Sequence, residues 1–337
     1  MKLTRRGKGV LAVAALAFLL GVSYGARSLD AVLVPSLVAL AIGAVQVFRR
    51  DRPVVRRTRP VPGFPGETRT VDVGVESNLP CDVHEETGEG LRAIDPDARL
   101  AGDGEYEYEV ELLGRGEHAL GPATVVQRDT LGLVSNATHV RATTPMLVYP
   151  TVEPIANRTA FAGLVERAGT EDRDAFDRLR EYSSGDSLRD INWKASAKQP
   201  EGEFVVTEFA AQDEGGISIV AESEPGYADE MASAAASVAG YLLDADLLVD
   251  VVAPGGEVET GRGEEHRNRV LELLALTGAG RVGGNRGDRA AVYVSAGEDG
   301  TTVRVRGTTH RFESLVADDA GERSAVGPTD RPRRVSA

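Results

Sequence analysis

The sequence predicts a multidomain fold that contains a transmembrane helical hairpin, an all-β antiparallel sandwich and a doubly wound α/β module. Two uncharged stretches near the N-terminus, a strand-rich region with frequent turns, and a later alternation of strands with helices predict these parts. The predicted order is a hairpin with basic flanks at 1–52, a sandwich at 53–150, a linking segment at 151–212, an α/β module at 213–317 and a disordered tail at 318–337.

The N-terminal region is typical of a membrane anchor. Gly9–Ala26 and Ala31–Phe48 each contain 18 residues without a charge, close to the ~20 residues that cross a bilayer. Arg27–Asp30 is a short connection, so the two spans form a hairpin whose partner is the lipid bilayer. A cleaved signal peptide ending near Ser23–Ala26 is the alternative.

Basic residues flank both outer ends of this hairpin. By the positive-inside tendency, they place both termini and the soluble body in the cytoplasm, at the cell membrane. The flanking residues are Lys2, Arg5, Arg6 and Lys8 before the hairpin, and Arg49, Arg50, Arg52, Arg56, Arg57 and Arg59 after it.

The charge is divided unevenly along the chain. Residues 1–59 have a net charge of +9, and subtracting this from the −14 of the whole chain leaves −23 for residues 60–337. A body this acidic excludes electrostatic binding of nucleic acid, because each phosphate contact needs a cation. Four lysines against 34 arginines, together with the acidity, favour a halophilic source with a high-salt cytosol.

The single cysteine limits the possible chemistry. Cys81 has no partner for a disulfide and excludes a Cys-rich metal site. In a strand-like region it is interpreted as a small buried hydrophobe. His84, His118 and His139 lack the spacing of metal ligands, and no cofactor is expected.

Alternation predicts the strands of the sandwich. Polar and apolar residues alternate in Thr70–Glu76 and in Tyr106–Leu112, which places one face of each strand in a core. Gly114-Arg115-Gly116 is typical of a tight turn that leads into the next strand.

The α/β pattern follows Gly215-Gly216. The predicted strands are Ile217–Ala221, Leu247–Ala253, Ala291–Ser295 and Thr301–Val305, and the predicted helices are Tyr227–Leu243 and Glu264–Leu276. Gly278–Gly283 matches the G-x-G-x-x-G pattern, but it follows a helix instead of opening one. It is therefore interpreted as a loop and not as a nucleotide site.

The linking segment contains an unusual concentration of aromatic and charged residues between Arg178 and Lys198. Ser184 or Asp186 can cap a short helix there, and Asp186 with Arg189 has the spacing of a helical ion pair. Two roles remain open for this segment: a surface that docks a partner, or a joint between the sandwich and the α/β module.

These residues resemble the family catalogued as domain of unknown function 58, and the resemblance extends over essentially the whole chain. The signature residues (named so below) are Arg180, Tyr182, Gly185, Asp186, Arg189, Ile191, Trp193 and Lys194. Secondary marks are Arg115-Gly116, Asp129–Leu133, where the family usually has Pro instead of Thr130, and Val148-Tyr149-Pro150. The resemblance implies a membrane hairpin, a module similar to von Willebrand factor A domains, association with MoxR-type AAA+ ATPases, and no catalytic activity.

One departure concerns a metal site. A metal-binding von Willebrand factor A module has Asp-x-Ser-x-Ser after its first strand, since carboxylates and hydroxyls ligate Mg²⁺. Here that stretch is Ala221-Glu222-Ser223-Glu224-Pro225. The site near Glu222, Ser223 and Glu224 is therefore degenerate, and no metal is expected.

The expected function is that of a membrane-anchored, non-enzymatic scaffold or assembly factor that works with a MoxR-type ATPase. Two rival classes remain. One is a membrane-associated hydrolase that uses Asp186, Lys194 and Ser196, although no nucleophile elbow is present. The other is a metal-dependent adhesion module, which requires a cation near Ser223.

Overall fold

The computed structural model describes residues 1–25, 27–166 and 216–316, together with the backbone of 179–181 and 205–207. The chain divides into two compact units, residues 1–149 and 150–337. The first unit contains the two apolar helices and ten strands, and the second contains the mixed sheet.

The N-terminal helices are α1 (Arg5–Tyr24) and α2 (Asp30–Phe48). The Thr4 hydroxyl begins α1 by accepting a hydrogen bond from the Gly7 N–H at 3.1 Å, which satisfies one of the free donors of the first turn. By length and composition both helices are long and apolar enough to cross a membrane, as predicted. Side chains such as Val22 remain 71% exposed, unlike those of a helix in a protein core.

The sandwich consists of two antiparallel sheets, which confirms the predicted architecture. One sheet has the order β1-β9-β8-β4-β6, with β10 also paired to β8, and the other has the order β2-β3-β7-β5. The strands are β1 (Lys2–Leu3), β2 (Val54–Arg57), β3 (Thr68–Glu76), β4 (Cys81–Thr87), β5 (Leu91–Ile94), β6 (Asp97–Leu100), β7 (Gly104–Leu112), β8 (Gly116–Arg128), β9 (Val134–Val140) and β10 (Thr144–Val148).

Alternate residues of these strands form the sandwich core. Val71 and Val73 of β3 are fully buried, as are Val110 and Leu112 of β7. Successive side chains point to opposite faces of a sheet, so the intervening Thr, Asp and Glu residues face outward. Each fully buried aliphatic side chain contributes about 1.5–3 kcal/mol relative to exposure.

Between residues 167 and 215, the structure describes only the backbone of a short antiparallel ladder. It joins β11 (Leu179–Glu181) to β12 (Val205–Thr207), with Arg180 opposite Val206.

The second unit contains a six-stranded sheet of order β15-β14-β13-β16-β17-β18. Its elements are β13 (Ile217–Ser223), α3 (Ala228–Asp244), β14 (Val249–Ala253), β15 (Gly256–Gly261), α4 (Glu264–Leu276), α5 (Arg286–Arg289), β16 (Val292–Gly297), β17 (Gly300–Val305) and β18 (Thr308–Arg311). Helix α3 packs on β13, β14, β16 and β17, and on α4.

This sheet is mixed, which differs from the predicted doubly wound parallel sheet. Only β14, β13 and β16 are parallel to one another, and β15, β17 and β18 pair antiparallel to their neighbours. The reason is local, because Pro254-Gly255, Glu298-Asp299 and Arg306-Gly307 are two-residue turns. A connection this short reverses the chain, whereas a parallel neighbour needs a long crossover.

Candidate functional site

The signature residues lie almost entirely outside the described residues. The backbone of Arg180 lies on β11. Tyr182, Gly185, Asp186, Arg189, Ile191, Trp193 and Lys194 fall outside the described ranges, as does Ser196 of the hydrolase alternative. The choice between a docking surface and a structural joint therefore stays a prediction.

The degenerate metal motif lies at the carboxyl end of β13, where the loop after α4 closes over it. Ser223 and Gly280 exchange backbone hydrogen bonds of 3.0 and 3.1 Å. The Glu222 carboxylate accepts the Val282 N–H at 2.8 Å and the Tyr293 hydroxyl at 2.7 Å. Both oxygens of Glu222 are thus engaged within the protein.

Tyr293 links this edge to the neighbouring strand. Burial raises the pKa of the Tyr293 hydroxyl. The Glu222 carboxylate raises this pKa further, because it accepts a hydrogen bond from the protonated hydroxyl. The Arg304 guanidinium lies 4.5 Å from the centre of the Tyr293 ring. Across the described ranges, no group of three or more His, Cys, Asp or Glu side chains has the arrangement to hold a metal ion.

The most extensively built feature of the first unit is the junction between the apolar helices and the sandwich. Its centre is the turn between β8 and β9, residues 129–133, called the Asp129 turn below. On the α1 side, the Thr4 N–H donates to the Leu133 carbonyl at 3.0 Å, and the Thr4 hydroxyl donates to the Gly132 carbonyl at 2.6 Å. Just before α1, β1 pairs with β9 and so adds the N-terminus to the sheet.

The turn contacts each helix at a glycine. A Cβ added to Gly7 of α1 would lie 2.1 Å from the Leu133 carbonyl oxygen, and one added to Gly43 of α2 would lie 2.9 Å from Asp129 Oδ2. Real Cβ atoms do not approach so closely, so Gly7 allows the backbone of α1 to meet the backbone of the turn, and Gly43 makes room for the Asp129 side chain. The fit needs the absence of a side chain at both positions.

Polar and apolar contacts extend the junction on the α2 side. Gln46 Oε1 accepts from both the backbone N–H and the hydroxyl of Thr130, each at 3.2 Å. Val47, Leu79 and Leu133 form a small buried cluster beside these bonds. The junction thus combines close packing with hydrogen bonds from two helices.

Asp129 organises the turn itself. Its side chain is buried, and it accepts from the Leu131 N–H at 3.1 Å and from the Val134 N–H at 2.6 Å. Its carbonyl accepts from the Gly132 N–H at 2.8 Å. A buried carboxylate is tolerated when backbone donors surround it in this way.

A buried ion pair joins the two sheets within the sandwich. Arg57 of β2 donates through Nε and Nη2 to Glu85 of β4, at 2.7 and 3.1 Å, and through Nη1 to the Ala142 carbonyl at 2.8 Å. The two side chains are 1% and 0% exposed. Arg57 was predicted to be part of the basic flank, and this assignment is wrong because its charge is neutralised inside the sandwich. Arg56 is also paired, with Glu76, but both side chains of this pair are exposed.

Burial dominates the ionisation of this region. It raises the pKa of the Glu85 carboxyl above its ordinary value of 4.5, and the neighbouring Arg57 charge opposes the rise only in part. Burial also raises the pKa of Tyr108 to about 12. Cys81 is buried as predicted, and desolvation raises its thiol pKa, so its thiolate is disfavoured.

The junction and the ion pair were not found from the sequence. Signals for both exist. Arg57 follows buried Val55 at a spacing of two, and Glu85 follows Cys81 and Val83 at the same spacing, so both acid and base occupy inward positions. Asp129 lies in a segment quoted only as a secondary mark of the family resemblance.

No protein-family model matches the sequence, and no curated protein matches it. Among solved structures, WR4, a C. elegans MSP family member, is similar at 10% identity and a TM-score of 0.22, with 28% of this chain and 96% of that chain covered. The PKD domain of an M14-like peptidase from Thermoplasmatales archaeon SCGC AB-540-F20 is similar at 17% identity and a TM-score of 0.21, with 28% and 99% covered. The Salmonella enterica SafA pilin in complex with the SafB chaperone is similar at 14% identity and a TM-score of 0.23, with 39% of this chain and 64% of that chain covered. TM-scores this low support no conclusion about fold or function.

Gly7→Ala tests the close packing of the junction. The added methyl group must displace the Leu133 carbonyl, and we expect a loss of about 1–3 kcal/mol in place of the usual helical gain. Hydrogen exchange at the Asp129 turn should become faster. Gly9→Ala is the matched control, since nothing lies within 4 Å of its Cβ position. Equal exchange in the two variants would contradict the proposed fit.

Glu85→Gln tests the ionisation of the buried pair. Because the folded protein raises the pKa of Glu85, it binds the proton more tightly than the unfolded chain does. The wild-type free energy of unfolding should therefore fall relative to the Gln variant as the pH rises above about 4.5 towards the folded pKa. Denaturant titrations of both proteins between about pH 4 and pH 8 measure this difference. A difference that grows with pH in favour of the wild type would show that Arg57 dominates instead.

Proposed function

We propose that this protein is a membrane-anchored, non-enzymatic scaffold that holds its acidic body at the cytoplasmic membrane surface. The junction is the observation that supports this proposal most directly. The hydrogen bonds that Thr4 donates and Gln46 accepts, and the close packing at Gly7 and Gly43, fix the sandwich to the apolar helices. An anchor joined only by a flexible linker would need none of these contacts.

The two helices are the membrane-spanning part of the proposal. Apolar side chains such as Leu19 and Ile42 are more than half exposed. Contact with lipid would remove these side chains from water. Exposed basic residues remain at both outer ends after the paired Arg56 and Arg57 are removed from the flank; they are Lys2, Arg5, Arg6, Lys8, Arg49, Arg52 and Arg59. This bias favours a cytoplasmic location for both outer ends.

The proposed partner is a MoxR-type AAA+ ATPase, and the proposed second module is similar to von Willebrand factor A domains. Both come from the resemblance of the signature residues to the domain of unknown function 58 family. The internal hydrogen bonds of Glu222 favour a binding role over metal chemistry at the carboxyl edge of β13, because they leave its oxygens engaged. The acidic composition and the small number of lysines support the proposal of a halophilic archaeal source.

Cysteine labelling tests the orientation. Glu89→Cys places an exposed thiol in the turn between β4 and β5, and Ser28→Cys places one in the connection between the helices. A membrane-impermeant maleimide added to intact cells should label position 28 and leave position 89 unlabelled until the cells are permeabilised. Cys81 is 2% exposed and gives little background. Labelling of position 89 in intact cells would place the body outside.

Affinity capture in high salt tests the partner. The detergent-extracted full chain should retain a AAA+ ATPase, identified by mass spectrometry, and Arg189→Ala should lose it while the protein stays folded. Such a loss would assign the signature residues to docking. Unfolding of Arg189→Ala would assign them to a structural joint instead.

Arg281→Ala is the matched control for charge removal. Arg281 is exposed on the loop after α4, outside the signature segment. The proposal requires this variant to retain the ATPase. Equal loss from both variants would mean that general charge, and not the signature residues, determines capture.

A further inference from the structure

The Asp129 turn contacts α2 within the helix and not at its end. Gly43, which faces Asp129, lies five residues before Phe48, and Gln46, which binds Thr130, lies two residues before it. At a rise of about 1.5 Å per residue, Gly43 is roughly 7.5 Å from the end of the helix. The turn therefore lies alongside the last turns of α2.

The two helices are no longer than the hydrocarbon core of a bilayer is thick. The 20 residues of α1 and the 19 of α2 span about 30 and 28 Å, and the hydrocarbon core is about 30 Å thick. If these helices cross the membrane, as the proposed function requires, the last turns of α2 lie inside the bilayer boundary. Whatever packs on Gly43 and Gln46 must enter that boundary as well.

The turn meets the chemical requirement for such a position. Backbone donors exposed to lipid are costly unless they are satisfied within the protein. The Leu131 and Val134 N–H groups donate to the Asp129 carboxylate, and the Gly132 N–H donates to its carbonyl. The Thr130 N–H donates to Gln46. The turn can thus leave water without losing these hydrogen bonds.

The turn exposes the side chains of Thr130, whose hydroxyl donates to Gln46, and of Leu131, which is apolar. Leu131 is 57% exposed at the tip, although Leu133 and Val134 beside it are buried. The exposed basic residues that flank the helices, including Lys2, Arg5 and Arg49, lie at the same end of the hairpin. An apolar tip beside cations is the composition that lies in the headgroup and acyl boundary of a membrane.

We propose that the Asp129 turn is a membrane-inserted turn, in which Leu131 enters the headgroup and acyl boundary of the cytoplasmic leaflet. The turn is then a third point of contact with lipid, after α1 and α2. It holds one end of the sandwich in the membrane surface, so the height and tilt of that end are fixed. This inference rests on the proposed membrane anchor.

Lipid quenching of single labels tests the insertion. Leu131→Cys, Leu19→Cys and Leu113→Cys are each labelled with an environment-sensitive fluorophore in the full chain. The proteins are reconstituted in vesicles of phosphatidylcholine and phosphatidylglycerol that contain nitroxide-labelled lipid. Leu113 is the matched control, because it is an exposed leucine that follows β7, at the end of this strand opposite Gly104.

The expected result is quenching at positions 19 and 131 and little at 113. At position 131 a nitroxide near the headgroup should quench more than one deep in the acyl chain, and the reverse should hold at position 19. Gly7→Ala should weaken quenching at 131 while leaving that at 19 unchanged, since it displaces the turn from the helix.

Each other outcome overturns a defined part of the argument. Quenching at 19 without quenching at 131 would leave the anchor intact and refute the inserted turn. Equal quenching at 131 and 113 would mean that the whole sandwich lies on the membrane, which also refutes a specific insertion. Failure to quench position 19 would refute both the anchor and the inference that rests on it.

Discussion

The contact of the Asp129 turn with two glycines of the apolar helices is the constraint on which the first unit depends. A turn can pack this closely on Gly7 and Gly43 only if its own backbone donors are satisfied, and the Asp129 carboxylate accepts two of them. Asp129 is therefore buried because its carboxylate satisfies backbone donors of the turn. Since the turn connects β8 and β9, the same contact fixes the edge of the sheet where β1 adds the N-terminus.

The sandwich contains two buried carboxylates, Asp129 and Glu85, which have different roles. Asp129 is surrounded by backbone N–H groups, so it organises a local turn. Glu85 is paired with Arg57 from the opposite sheet, so it connects two layers that are otherwise joined by apolar packing. Removing one partner of such a pair leaves an uncompensated charge, which typically costs about 3–5 kcal/mol. The junction with the helices is therefore fixed by close packing and hydrogen bonds, and the two sheets are joined by a buried charge pair.

Local periodicity predicted the elements, and long-range contacts determined what it could not predict. The helix Glu264–Leu276 has its predicted bounds, because the spacing of its apolar residues is a property of the segment itself. The partners of Arg57 and Asp129 lie 28 and 86 residues away in the sequence, at Glu85 and Gly43. A basic residue after an apolar span is typical of a membrane flank, and only its inward position in β2 distinguishes Arg57 from its neighbours. The mixed sheet was missed because its two-residue turns were not used to assign strand direction.

The form of the junction suits the charge distribution of the chain. The N-terminal 59 residues have a net charge of +9 and the remainder has −23, so a junction made of ion pairs would weaken as salt screens them. Close packing at Gly7 and Gly43, and the neutral hydrogen bonds that Thr4 donates and Gln46 accepts, do not depend on ionic strength in this way. An acidic body is also repelled by anionic lipid headgroups. Close packing and neutral hydrogen bonds are weakened neither by salt nor by this repulsion. They are therefore suited to holding an acidic body at a membrane surface.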